Sequence, residues 1–254
     1  MSSFNAETIY GTRAVIEAIR AGKEIEKIMI QSGLSNDLLK ELIALAREHK
    51  VPYTFVPQEK LKRFTSKNHQ GVICLLSAVT YASLDNLVDR AYTEGREPFF
   101  LILDRVTDVR NFGAIARTAE CAGVDGIIIG DKGNAPITSD AMKTSAGALN
   151  HLPVCREKDL KQTIRFLRDS GIRIIACTEK TNQSIFDTPM NGPIAIIMGS
   201  EEDGISDTLL READELVRIP MRGKIESLNV SVAAGIALYE AIRNRESSIV
   251  NRES

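Results

Sequence analysis

Hydrophobic and polar positions along the chain fall into two regimes. Over the first third, helical and strand spacings alternate. Val15, Ile16 and Ile19 share one face of a short helix over 12–21, which Gly22 ends. Lys27–Ile30 reads as a strand. Residues 36–49 read as a helix capped by Asn36 or Ser35, with Leu38, Leu39, Leu42, Ile43 and Leu45 as its apolar stripe. A strand over 51–56, a short basic helix over 58–64 and a buried strand over 71–76 complete a predicted α/β unit of three or four strands, residues 1–79. The next stretch is polar, with one possible helix around 84–92, and it ends in Glu94-Gly95-Arg96-Glu97-Pro98; residues 80–97 are expected to connect two domains.

From Phe99 the strands become unbroken apolar runs, at 99–103, 126–129, 172–176, 194–198 and 216–219. Helical patterns lie between them at 112–122, 158–169 and 206–212, and a last helix runs from Val230 to about Arg245. Strands without polar alternation, separated by helices, predict a parallel sheet covered on both faces over residues 98–254. Neither GxGxxG nor a P-loop occurs here, so a nucleotide-type ligand would need a different backbone cradle.

Composition narrows this only slightly. The 254 residues are 43% hydrophobic and 26% charged, ordinary for a globular chain. No apolar run exceeds five residues, against roughly 20 for a membrane span. The start Met1–Glu7 lacks a basic and an apolar signal region, so a cytoplasmic protein is expected. Cys74, Cys121, Cys155 and Cys177 form no CxxC pair; three of the four sit in apolar or small-residue surroundings, and buried reduced thiols are expected. With three histidines, no metal site is expected. Net charge is −2, yet residues 1–80 hold 11 Lys+Arg against 8 Asp+Glu, densest at Lys60, Lys62, Arg63 and Lys67. Phosphate binding needs local positive charge, although a solvated helix face would look the same.

Three polar clusters follow apolar strands, where an α/β sheet presents its crevice. The first runs from Asp104 to Arg117, with Asn111 expected to open a helix and Arg117 six residues later. The second is the glycine-bounded acidic loop Gly199-Ser200-Glu201-Glu202-Asp203-Gly204. The third is Ile219–Ala233, with Ser227 and Asn229 at the mouth of the final helix. Singly, each has an ordinary structural explanation: a cap, an Arg117–Glu120 pair, an exposed turn.

Together, N-x5-R, G-x-E-x2-G and I-P-M-x5-S-L-N-V-S-V-A resemble the signature motifs of the SpoU (TrmH) branch of the SPOUT RNA 2′-O-methyltransferases, over about residues 98–245. Ile9–Val15 and His69-Gln70-Gly71-Val72 are similar to the L30e-like substrate-binding domain of the RlmB-type 23S rRNA guanosine methyltransferases. Val109, where relatives often carry proline, and the Glu202–Asp203 pair depart from the pattern outside the signature positions. The resemblance implies an α/β SPOUT-type sheet with a C-terminal trefoil knot, S-adenosylmethionine as cofactor, and a homodimer whose sites draw on both subunits. A knot would break the usual rule against threading.

It also implies roles. Gly199, Ile219 and Leu228 would grip the cofactor through backbone groups, with Thr178, Met198 and Met221 lining its adenine side. Asn111, Arg117, Glu201, Ser227 and Asn229 would carry the chemistry. Because a guanidinium stays protonated, Arg117 is expected to bind a phosphate and stabilise the developing alkoxide, with Asn111, Glu201, Ser227 and Asn229 orienting it and the nucleotide. Arg13, Lys60, Lys62 and Arg63 are the candidate RNA contacts. Ribosomal RNA is the expected substrate, because simpler tRNA enzymes of this branch often lack the first domain. A tRNA methyltransferase and a non-catalytic RNA-binding assembly factor are the alternatives.

Overall fold

The structure, a computed structural model, describes residues 8–253, with side chains described through residue 247. The reading of Met1–Glu7 lies outside the described residues. Contacts divide the chain into two compact units, one of residues 8–80 with Pro136–Asp140, the other of Tyr81–Ala135 with the remainder.

The first unit contains β1 (Thr8–Tyr10), α1 (Thr12–Arg20), β2 (Ile25–Gln31), α2 (Asp37–Glu48), β3 (Tyr53–Val56), α3 (Gln58–Phe64) and β4 (Val72–Leu76). Its sheet has the order β1-β4-β2-β3, antiparallel except for the parallel β2–β3 pair. The two faces follow the period of two in the strands. Ile28, Ile30, Val72 and Cys74 pack against Val15, Ile16 and Ile19 of α1 and Leu39 and Leu42 of α2. Met29, Ile73 and Leu75 face Leu61 of α3 instead. Asn36 is the α2 cap, its side chain accepting from the Leu39 N–H at 2.8 Å.

The second unit contains α4 (Leu84–Thr93), β5 (Phe99–Leu103), α5 (Val109–Cys121), β6 (Gly126–Gly130), α6 (Ser139–Thr144, its start among the residues grouped with the first unit), β7 (Val154–Glu157), α7 (Leu160–Asp169), β8 (Arg173–Cys177), β9 (Ile194–Met198), α8 (Asp207–Leu210), β10 (Glu215–Val217) and α9 (Val230–Glu253). Its six strands are all parallel, in the order β10-β8-β9-β5-β6-β7. Phe100, Ile102, Ala195 and Ile197 pack toward α4, α7 and α8, and α5 packs along α9. Chain order jumps from β7 at one edge to β8 beyond β9, so the carboxyl ends of β5, β8, β9 and β10 gather where the winding reverses.

Three expectations need correction. Residues 80–97 are more than a polar connection: α4 buries Leu84, Val88 and Ala91 on one face, two of them in the core of the second unit. Asn111 does not open its helix. Asp108 caps α5, accepting from the Arg110 and Asn111 N–H groups at 2.7 and 2.9 Å, because α5 begins at Val109. Cys121 is exposed, being the last residue of α5, whereas Cys74 and Cys155 are buried and Cys177 is half-buried. Among the described residues no helix is long and apolar enough to cross a membrane, and no cluster of three metal-binding side chains occurs.

Candidate active site

The carboxyl ends of the central strands open into a cavity of about 530 Å³, within the range of small-molecule sites. Three of its walls continue strands of the sheet. Thr178 follows β8, Gly199 follows β9, and Arg218 and Ile219 follow β10; the exposed segment 221–229 and the first turn of α9 close the remaining side. Gly199 cannot carry a side chain, because a Cβ there would overlap the Gly204 carbonyl group. The loop it starts is a tight turn. Ser200 and Gly204 exchange backbone hydrogen bonds at 3.1 and 3.0 Å, and Gly204 takes φ 65°.

The turn presents Glu201 to the mouth of α9. Asn229 Nδ2 donates to Glu201 Oε1 at 2.5 Å and to Asn111 Oδ1 at 3.0 Å. Asn229 Oδ1 accepts from the Ser231 N–H at 2.9 Å and so caps α9, while the Val230 N–H donates to Glu201 at 3.4 Å. A carboxylate at a helix N-terminus meets unpaired N–H groups and the positive end of the helix dipole. One residue from each of the three polar clusters therefore joins a single network.

All six residues expected to hold a cofactor, Gly199, Ile219, Leu228, Thr178, Met198 and Met221, line the cavity, as do Glu201 and Ser227. Arg117 does not. Its side chain is exposed on α5, hydrogen-bonded neither to Asn111, Glu201, Ser227 or Asn229 nor to Glu120. Six residues are about 1.7 helical turns, so Arg117 points some 120° around α5 from Asn111. Within one chain, Asn111, Asn229 and Glu201 therefore hold one another, and Arg117 stands apart from them. Arg13 is exposed on α1. Lys60, Lys62 and Arg63 are exposed on α3, where Lys60 and Arg63, one turn apart, border a second hollow with Pro57 and Phe64.

Sequence reasoning passed over Glu179, Arg218 and Glu226, which also line the cavity. Their signal is position: Glu179 and Arg218 stand within two residues of the ends of β8 and β10. Cys177 lines it too. Burial, with Glu179 nearby, pushes its thiol up to about 12, so it stays protonated and unreactive.

A doubly covered parallel sheet with such a cavity at its winding reversal is the arrangement in which α/β proteins bind small-molecule ligands. Residues 98–239 match the SpoU rRNA Methylase family, and residues 8–82 match a family described as RNA 2′-O ribose methyltransferase substrate binding. The chain is 34% identical over 237 residues to a Bacillus subtilis protein named for the TrmH family of tRNA/rRNA methyltransferases, covering 93% of this chain and 95% of that one. It resembles the AdoMet-bound rRNA methyltransferase of Sinorhizobium meliloti (27% identity, TM-score 0.59, 93% and 87% coverage). It likewise resembles the SpoU methyltransferase AviRb of Streptomyces viridochromogenes in complex with AdoMet (26%, 0.60, 94% and 90%). The chain belongs to the SpoU family and is an RNA methyltransferase.

Proposed function

We propose that the chain transfers a methyl group from S-adenosylmethionine to a ribose 2′-hydroxyl of RNA, a guanosine of 23S ribosomal RNA, in the cytoplasm. The observation that carries this reading is the Asn111–Asn229–Glu201 network beside the strand-end cavity. The cavity suits the cofactor chemically. Met198, Met221 and Leu228 offer apolar surface to an adenine, while five carboxylates on the lining face Arg218 as its one cation. An acidic wall of this kind favours a ligand bearing a sulfonium and an ammonium. In this reading Gly199, Ile219 and Leu228 bind the cofactor through their backbone.

Bound S-adenosylmethionine supplies an electrophilic methyl group. The chain's residues must hold the acceptor oxygen in line with it. Glu201 and Asn111 fix the Asn229 amide, and this group with Ser227 orients the nucleotide. Arg117 binds the neighbouring phosphate and stabilises the developing alkoxide, and the hydroxyl proton passes to a neighbouring group or to water. Arg117 is exposed, off the lining of its own chain's cavity and unbonded to the network, so this reading includes a homodimer in which each Arg117 serves the partner's cavity. Exposed apolar side chains at Ile225, Val232 and Tyr239 support such a partner. The C-terminal trefoil knot and an L30e-like first unit belong to the same reading. Arg13, Lys60, Lys62 and Arg63 contact RNA phosphates, which position without reading sequence.

The test maps 2′-O-methyl groups in total RNA from cells with and without the gene. Loss of one mark on 23S rRNA is expected. Loss from a tRNA would replace the substrate. An unchanged map, with no S-adenosylmethionine bound to the purified protein, would favour a non-catalytic RNA-binding factor.

A further inference from the structure

The turn that carries Glu201 is tied to the sheet by two residues that the methyl-transfer reading leaves unused. Asp104, buried just past β5, accepts the Ser206 N–H on Oδ2 at 2.7 Å, and its own N–H donates to the Met198 carbonyl at 2.9 Å. The two stems of the turn thus meet at one residue. Arg105 grips the turn itself. Its Nη1 donates to Asp203 at 2.9 Å, its Nη2 to the Gly204 carbonyl at 3.2 Å, and its Nε to Asp104 at 3.3 Å. Arg105 does this from φ 60°, a left-handed conformation that residues with a side chain seldom adopt. Such a conformation persists where the surroundings over-determine it, and it clusters at functional sites.

The internal bonds of the Ser200–Gly204 turn fix its shape but leave its tilt against the sheet open. The ties through Asp104 and Arg105 set that tilt. We propose that Arg105 is a positioning residue: seated on Asp104, it holds Asp203 and the Gly204 carbonyl so that Glu201 reaches Asn229 and the cofactor cavity keeps its form. The acidic pair Glu202–Asp203 then gains an explanation for its second member, which faces a guanidinium.

This inference rests on reading the cavity as the S-adenosylmethionine site. Titration calorimetry of S-adenosylmethionine into the full-length protein tests it, with a melting temperature recorded for every variant. Arg105→Ala is expected to raise Kd about tenfold, the scale of losing hydrogen bonds to a charged group, while melting shifts by no more than about 2 °C. Arg105→Lys should recover part of the affinity, since an ammonium restores the charge without the fork. Asp203→Asn should cost less than Arg105→Ala, because the Gly204 contact survives. The double variant should be no worse than Arg105→Ala alone, as two changes in one linkage are not additive.

An unchanged Kd in Arg105→Ala would overturn the proposal. Additive losses in the double variant would also overturn it, making Asp203 an independent cofactor contact, as would a loss of affinity that only tracks a large fall in melting temperature. Leu228→Trp, which fills the cavity from an exposed position, separates the two levels. If it binds like the wild type, the cavity reading fails and takes the proposal with it. If it abolishes binding while Arg105→Ala has no effect, the cavity reading stands and the role of Arg105 alone is lost.

Discussion

Asn229 performs two separable tasks with one amide. Its oxygen caps α9 through the Ser231 N–H, and its nitrogen links Asn111 to Glu201. Asn229→Ser retains a cap oxygen but loses the reach to both partners, whereas Asn229→Ala loses both functions. Calorimetric melting is expected to be nearly unchanged for the serine variant. For alanine it should fall by about 2–4 °C, the equivalent of a cap worth ~1 kcal/mol. Methyl transfer to RNA should drop about 10²-fold or more in both, if the network orients the reacting groups. The thiols give a second residue-scale test. Burial pushes Cys74, Cys155 and Cys177 up from 9.0 to about 12, while Cys121 is exposed. A water-soluble disulfide reagent at about pH 8 should label one thiol per native chain and all four in denaturant. These raised values mean that the folded chain retains protons that the unfolded chain releases above 9.0. Their contribution to stability is therefore complete below pH 9.0 and is lost as pH climbs toward about 12, which urea midpoints across that window would reveal.

At the scale of elements, one glycine reverses the usual propensity rule. Gly113 lies inside α5, where alanine would ordinarily gain up to ~1 kcal/mol. A Cβ there would overlap the Thr144 side chain, and overpacking of this kind costs about 1–3 kcal/mol. Gly113→Ala should therefore lower the urea midpoint, and an increase would show that Thr144 can move aside. Elements whose apolar spacing is long or unbroken were legible from the residues alone. The bounds of α3, β5 and β9 coincide with the runs 58–64, 99–103 and 194–198. Elements that pair at an edge or hide behind polar residues were not. β1 is three half-buried residues, β7 pairs only with β6, and half of it is the polar Arg156–Glu157. In α4 the spacing Leu84, Val88, Ala91 was visible, but the core it joins is formed by strands that come later in the chain. The start of α5 was misplaced for a local reason, since Asp108 and Asn111 are both good caps three residues apart and only the backbone decides between them.

At the scale of the whole molecule, the candidate site was legible as three clusters after strand ends, and their meeting at Asn229 follows from the gathering of β5, β9 and β10 with the start of α9. Arg117 is the exception: it is exposed on α5, off the cavity lining and outside the network. Its side chain lies some 120° around α5 from Asn111, and the proposed function has it serve the cavity of a second copy. Mixed dimers test this. Arg117→Ala and Glu201→Gln should each lose about 10²–10³ in turnover as homodimers, with S-adenosylmethionine binding retained in Arg117→Ala. Unfolding and refolding the two together in equal amounts gives heterodimers in half the population. In each heterodimer, one cavity combines an intact Glu201 with the partner's intact Arg117, and the other carries both defects. With independent sites, activity should recover to about a quarter of the wild type, as expected for shared sites in a two-fold dimer. If Arg117 served its own chain's cavity instead, every site in the mixture would carry one defect and nothing would be regained.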